Sequence, residues 1–496
     1  MGSNISKSRY LNGLQCHRLL WLVVNSPDEI PEPDEEAQFV FDQGREVGDY
    51  AKKLFPGGIE VPHNRDFIEA TKKLVSKRNT IFEGAFSFNG TFAKVDILKP
   101  VNKEEWDIIE VKSSTQVKDE HIDDVAFQQY VIEGSGLKVR RCHLMFVNNE
   151  YARDGDIDPK AFLSKEDITE LVAEKLPLVE DNVKEMQKVL VMGKAPKTSI
   201  GPHCGSPYGC PITDECWSFL PEHNVTELYY FKQKFELLDK GILKIADIPS
   251  GIKLSDKQKI QREAIKAGKP IINKKEIMDF LESLEYPVYC LDFETLGVAI
   301  PPFDKARPYQ KIPFQFSIHV ILKPLAKPDS YSFLADGREN FAPELAKALR
   351  VIGPKGTVLA FNKSFEKQVL ECLEELSPKD GKWIRSIIDR VNDLIHPFRG
   401  FSYYHPEQHG SCSLKAVLPV ITGRTYEGME IEEGSTASLR YYLTHFRDCP
   451  KEEKEKVRKD LLEYCNLDTE GMVDILRRLD EVSAKCGGRD ALKLFN

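Results

Sequence analysis

The sequence predicts an α/β protein made of two units, and three observations carry that prediction. Apolar runs of strand character end on acidic residues at two distant places, WDIIEVKSS and PVYCLDFETL. Around each, the apolar period switches between that of a helix and that of a strand. Between them residues 222–280 differ in composition, being helical in pattern and basic. The expected division is therefore 1–221, 222–280 and 281–496, and a chain of 496 residues has room for two to four domains.

Taken in order, residues 1–55 read as mainly helical, with apolar spacing over Tyr10–Val24 and again over Phe39–Phe55. FEGAFSFNGTFAKVDILKP and WDIIEVKSS read as strands, the first interrupted by a turn at Asn89-Gly90. Helical patterns follow from Ile122 and from Ile168 to Val191, and then comes the loop GPHCGSPYGCPITDECW. After the connector, the strand PVYCLDFETL is followed by the strand TVLAF, a helix from Ser364, the run SLKAVLPVI and a long charged helix ending in LLEYCNLDTEGMVDILRRL. No repeat or low-complexity segment is evident.

Composition excludes several classes. Hydrophobic residues are 41% and charged residues 30%, as in ordinary globular proteins. No apolar stretch is long enough to span a membrane, and the N-terminus lacks the cleavage site of a signal peptide. It does match the short myristoylation pattern at Gly2 and Ser6, a pattern common by chance. The net charge of −9 argues against a uniformly basic nucleic-acid coat. Locally, Gly251–Phe280 carries eight Lys or Arg against four Asp or Glu, which fits either a solvated helix or a nucleic-acid contact. Eleven irregular cysteines, Cys486 the last, do not make a secreted disulfide framework, so a reducing cytoplasmic compartment is expected.

In the second half, Asp292 and Glu294 sit two apart on a strand and so share a face, where they could hold a divalent ion such as Mg²⁺ or Mn²⁺. The bland alternative is an acidic strand end facing solvent. Glu366 opens a helix after the TVLAF strand. Tyr464 and Asp468 lie four apart on one helical face. Together these segments resemble the DnaQ-like (DEDD) exonuclease superfamily over roughly residues 285–480. Asp292-Phe293-Glu294-Thr295 matches its first motif. Asn362-Lys-Ser-Phe365-Glu366 matches the second, with Glu for the usual Asp. Tyr464-x-x-x-Asp468 matches the tyrosine form of the third, and Asp393-Leu394 and CSLKAVLPVI resemble the middle region. The resemblance implies an RNase H-like fold and 3′→5′ phosphodiester hydrolysis with two Mg²⁺ or Mn²⁺ ions about 3.5–4 Å apart. It also implies Asp292, Glu294, Glu366 and Asp468 as metal ligands and Tyr464 as the group that orients water. His405 or His409 is an alternative helper.

In the first half, Asp96 lies on one strand, and Glu110 and Lys112 share a face of another. They could bind a metal and steady a phosphate, or could be outward charges of an ordinary hairpin. Cys16 precedes this region, and Cys204, Cys210 and Cys216 follow it with five residues between successive members. Four thiols suit either an iron–sulfur cluster or zinc, with His17 or His203 able to replace one of them at a zinc ion. This half resembles the PD-(D/E)xK fold of RecB-like nucleases, whose iron–sulfur members hold a four-iron–four-sulfur cluster with one early and three late cysteines. The chain departs from that pattern where Gly48 follows Gly44 at the place of a histidine, and where AFQQY offers Gln128 and Tyr130 in place of Gln-x-x-x-Tyr.

The combined order resembles a bacterial family of two-module predicted nucleases. That implies a metal-dependent DNA nuclease acting on single strands or 3′ ends in repair, defence or spacer processing. An RNA exonuclease, or a nucleic-acid-binding scaffold with inactive sites, is the alternative.

Overall fold

The computed structural model describes residues 4–62 and 66–484. Gly2 of the myristoylation pattern and Cys486 lie outside them. The protein is α/β and divides into two compact units. One is Met1–Phe219 with Val298–Pro301 and Arg307–Tyr309; the other is Leu220–Gly297, Pro302–Ala306 and Gln310–Asn496. Residues 222–280, read from the sequence as a connector, therefore belong to the second unit. Among the described residues no helix is long and apolar enough to cross a membrane.

The first unit is built on a sheet of seven strands, β1 (Ile5–Ser6), β2 (Ile59–Glu60), β3 (Ile81–Phe88), β4 (Thr91–Pro100), β5 (Glu105–Lys112), β6 (Lys138–Val147) and β7 (Leu163–Asp167). They run in the order β2-β3-β4-β5-β6-β7, with β1 paired to the start of β4. Asn89 and Gly90 join β3 to β4 with φ of 44° and 73°. Both lie in the left-handed region that matches a two-residue turn to the twist of its strands. β4 and β5 are antiparallel, whereas β5 and β6 are parallel, so the chain must cross over between them. The helix Asp119–Gly134 makes that crossing. It buries Val125, Ala126, Phe127, Val131 and Ile132 in the core, where Tyr10 stacks on Phe127 with ring centroids 4.6 Å apart. His121, Asp124 and Gln128 of the same helix are buried too, although polar.

The second unit has a five-stranded sheet of β9 (Val288–Leu296), β10 (Ile312–Ile321), β11 (Asp329–Leu334), β12 (Thr357–Ala360) and β13 (Val391–Asp393), in the order β11-β10-β9-β12-β13. β10 is antiparallel to β9 and β11, and β12 is parallel to β9 and β13. A separate pair, β8 (Ile271–Ile272) with β14 (Tyr403–Tyr404), ties the connector into this unit. The connector helix Asp256–Ala267 starts at a capping box of Ser255 and Gln258 and stops at Gly268, whose φ is 61°.

β10 alternates apolar and polar residues yet is buried throughout, because its polar side faces the helix Lys451–Ser483 rather than water. Gln315 donates to the Leu461 carbonyl at 2.7 Å. The Thr469 hydroxyl lies 2.7 Å from Ser317 Oγ and 2.9 Å from His319 Nδ1. These bonds satisfy groups that would otherwise be costly to bury, and they set the rotation of the long helix on the sheet. Gly471 sets its approach to the helix Leu414–Thr422, since a Cβ there would stand 2.8 Å from Leu418.

Thr469→Val keeps the shape but leaves Ser317 and His319 without their shared partner. It should destabilise the second unit by about 1–3 kcal/mol, read as a lower urea midpoint; an unchanged midpoint would show that this triad does not anchor the helix.

Candidate functional site

Asp292 and Glu294 project from one face of β9, the central strand of the second sheet. Glu366 lies in the first turn of the helix Lys363–Leu376, which follows β12, the strand next to β9. Tyr464, Cys465 and Asp468 come from the helix Lys451–Ser483. Asp292, Glu294, Glu366, Tyr464 and Asp468 all line one pocket of about 360 Å³. Glu294, Glu366 and Asp468 are buried and Asp292 is partly so.

The electrostatics of this pocket are unfavourable to four ionised acids. Burial, then Asp468, Glu294 and Glu366, push Asp292 well above the usual carboxylate range. Glu294 is raised well above it too, by burial and Asp468, with Lys415 opposing. Burial raises Glu366 to about 8 and Asp468 to about 7. Oxygens of Asp292 and Glu294 and the sulfur of Cys465 all lie within 4.8 Å of one another. Glu366 Oε2 is buried without a hydrogen-bond partner. An oxygen-rich cluster of this kind is a fitting cradle for hard divalent cations.

Several side chains here were not anticipated. The Tyr426 hydroxyl donates to Asp468 Oδ1, and its ring lies 5.9 Å from that of Tyr464. Burial and Asp468 raise both phenols, so each stays protonated and can donate. The Cys465 thiol reaches Asp292 Oδ2 at 3.7 Å. Lys415 brings a positive charge to Glu294 and Asp468. His405 and His409 do not line this pocket. His409, at φ 49°, bonds Glu227 Oε2 at 3.0 Å and stacks on His223, while His405 caps the turn Pro406–Gln408.

The first unit gathers a second cluster. Asp96 on β4 and Glu110 and Lys112 on β5 meet Asp124 and Gln128 from the crossover helix and Lys7 from the helix Lys7–Gln15. Glu110 Oε1 accepts from Lys112 at 2.6 Å and from Lys7 at 2.7 Å. Lys112 also reaches Asp124 at 2.7 Å. Gln128 Nε2 donates to Glu110 at 2.8 Å and to Asp124 at 2.9 Å. Burial would raise Glu110, but Lys112 and Lys7 outweigh it and hold the group well below its ordinary value. Burial, then Glu110, raise Asp96 to about 7. Gln128 therefore belongs to this cluster, partnered by Asp124 one turn earlier rather than by Tyr130. At Gly44 and Gly48 a side chain would meet open space.

The four cysteines also converge within the first unit. Cys16 separates the helices Lys7–Gln15 and His17–Asn25. Cys16, Cys210 and Cys216 pack against Leu19, Leu22 and Ile212. The Cys204 carbonyl accepts from Cys210 N at 2.9 Å, and Gln15 binds the carbonyls of His203 and Tyr208, which ties the loop to the first helix. Burial raises the Cys210 thiol, as do the charges of Cys16, Cys204 and Cys216 beside it. All four are free thiols.

Comparison with known proteins gives limited matches. Residues 289–413 match a family described as a domain of unknown function, DUF2779. That stretch contains Asp292, Glu294 and Glu366 but stops before Tyr464 and Asp468. The chain is 26% identical over 211 residues to an uncharacterized protein, the MG366 homolog of Mycoplasma pneumoniae (strain ATCC 29342 / M129 / Subtype 1), the match covering 38% of this chain and 32% of the relative. The chain thus spans about a third of the length of the curated relative it matches. Among solved structures, one titled "Crystal structure of SSO0001" aligns over 37% of this chain and 78% of its own at 12% identity, with a TM-score of 0.21.

Acids whose folded pKa exceeds the unfolded value stabilise the fold when protonated. Their contribution is full below about pH 4 and is lost as pH rises through about 7 to 8. In EDTA the melting temperature should therefore fall between about pH 6 and about pH 8, and Mn²⁺ should raise it more at the higher pH. Glu366→Gln should flatten this dependence; a mutant curve parallel to wild type would remove Glu366 from the set of strained acids.

Proposed function

We propose that the protein is a metal-dependent nuclease whose second unit trims nucleic acid from the 3′ end in the manner of DnaQ-like exonucleases. One observation carries this reading. Four acids from β9 and two helices share one pocket, and their repulsion and burial leave them short of positive charge. In this reading the second unit is RNase H-like and the first is a PD-(D/E)xK, RecB-like module.

Asp292, Glu294, Glu366 and Asp468 would hold two Mg²⁺ or Mn²⁺ ions. When bound, such ions supply charge neutralisation and an activated water for phosphodiester hydrolysis. The chain's own groups then have separate tasks. Tyr464, kept protonated by its surroundings, donates a hydrogen bond that orients water at the carboxylates. Tyr426 fixes the Asp468 carboxylate in place. Lys415, on the pocket wall, is placed to steady negative charge that grows on the leaving oxygen.

In the first unit Asp96 and Glu110 could hold a further metal, with Lys112 beside the phosphate. Lys7 and Lys112 already balance much of the acid charge there, which favours a binding or weakly cutting role over a strong metal site. The four cysteines fit a four-iron–four-sulfur cluster, which needs four thiolates. Zinc is the alternative, with His17 or His203 able to replace one thiolate.

End-labelled single- and double-stranded DNA and RNA, with and without Mn²⁺, would test the central reading. Asp292→Ala should abolish 3′ trimming, lowering the rate by at least about 100-fold. The cleavage that remains should respond to Glu110→Ala if the first unit cuts. Trimming near the wild-type rate in Asp292→Ala would move the activity elsewhere. RNA digested in preference to DNA would select the RNA alternative.

Anaerobically purified protein should be brown and carry about four irons per chain, and Cys204→Ala should be pale. Colourless protein containing zinc would reverse the cluster assignment.

A further inference from the structure

The carboxylate pocket of the second unit continues into a larger depression of about 710 Å³, the two sharing Phe361, Asn362, Ser413 and Leu414. One wall of the depression comes from the stretch around Tyr229 and Tyr230, and Lys234 and Arg399 also line it. Tyr230 is 86% exposed, with its backbone held at φ 45°. A bulky aromatic presented to solvent at a left-handed backbone is unusual, and it needs support from beneath. The support is a ladder of rings. Tyr230 stands edge-on to Tyr229 at 4.6 Å, Tyr229 lies 4.8 Å from Phe401, and Phe401 stacks on the buried Tyr404.

The charges around this ladder are positive. Lys257 Nζ lies 5.5 Å from the Tyr229 ring. Among the described residues Lys234 and Arg399 form no ion pair with a carboxylate, whereas Glu227 on the same wall is already held by Asn224 at 2.7 Å and His409 at 3.0 Å. Arg399 also lies near enough to Asp393 to lower it, but neither cation is tied up in an ion pair among the described residues, and an exposed ring on a rigid base beside such cations has the makings of a single-strand site. Bases stack on such rings whatever their sequence, and phosphates follow the cations. A duplex would keep its base faces hidden.

We propose that this depression carries the single-stranded nucleic-acid chain behind the 3′-terminal nucleotide, with a base on Tyr230 and phosphates at Lys234 and Arg399. The inference rests on the nuclease reading of the adjoining carboxylates. It assigns the 222–280 stretch a part in substrate binding.

The test is fluorescence anisotropy with full-length Asp292→Ala protein and a fluorescein-labelled single strand of about 12 nucleotides, as DNA and as RNA. Adding Tyr230→Asn, which suits the left-handed backbone, should weaken binding about tenfold. Adding Lys234→Ala and Arg399→Ala together should reduce the slope of log affinity against log salt by about 1.4. A duplex of the same sequence should bind more weakly and be indifferent to Tyr230→Asn. Equal single-strand affinity with and without Tyr230, or a duplex that depends on Tyr230 equally, overturns the proposal. The nuclease reading fails by a different result, digestion by Asp292→Ala at the wild-type rate, so the two are told apart.

Discussion

Four carboxylates that repel one another, held in a pocket largely out of water, are the constraint around which the second unit is organised. Apolar collapse would never bring Asp292, Glu294, Glu366 and Asp468 together, because each loses hydration there and raises the cost of ionising the others. Rigid elements hold them in place. β9 is paired on both sides, so a slip of one residue would turn Asp292 and Glu294 to the opposite face and break two ladders at once. The long helix is fixed by Thr469 against β10 and by Gly471 against Leu418, both just after the turn that carries Tyr464 and Asp468. Packing free energy is thus stored as a concentration of negative charge that protons or cations must relieve.

The first unit solves the same electrostatic problem in another way. Glu110 and Asp124 are as deeply buried as the acids of the second unit, but two ammonium groups stand among them, and Glu110 is depressed rather than raised. Asp96 and Asp124 remain elevated there, both by burial and then by Glu110. In the second unit Lys415 bears on Glu294 and Asp468 and Lys311 on Glu366, but among the described residues neither forms an ion pair with these acids. The first cluster sets two lysines against three acids, and the second gathers four acids that no lysine pairs with directly among the described residues. That difference in charge balance separates their chemistry more sharply than any difference in the acids themselves.

Much of this was legible in the chain, and the part that was not has physical reasons. Asp292 and Glu294 declare themselves through the two-residue period of a strand, and Tyr464 and Asp468 through the four-residue return of a helix. Asp124 and Gln128 offer the same helical return, but a search for glutamine paired with tyrosine passes over it. Lys7 carries no local signal, since it meets Glu110 from 103 positions away. Tyr426 sits in a stretch without periodicity and acquires its role only when the long helix docks. β10 shows the alternation of a half-exposed strand, yet its polar side is covered, and nothing nearby in sequence announces Thr469 as the partner that makes burial tolerable.

The connector shows most clearly what pattern alone leaves out. As a sequence, residues 222–280 are a basic stretch with helical spacing, equally suited to solvent or to a polyanion. In the fold, β8 pairs with β14, and Tyr229 is set against Phe401, which precedes β14 in the chain. Gln261 accepts from the Tyr229 backbone N–H and Gln258 donates to its carbonyl, so the anchored stretch holds its aromatic edge at the depression that adjoins the carboxylates. Charge on a mobile segment would attract a polyanion without directing it. Charge and rings on a segment hydrogen-bonded into the unit that bears the acids can direct it, because the distance from the stacking ring to the pocket is set by the fold.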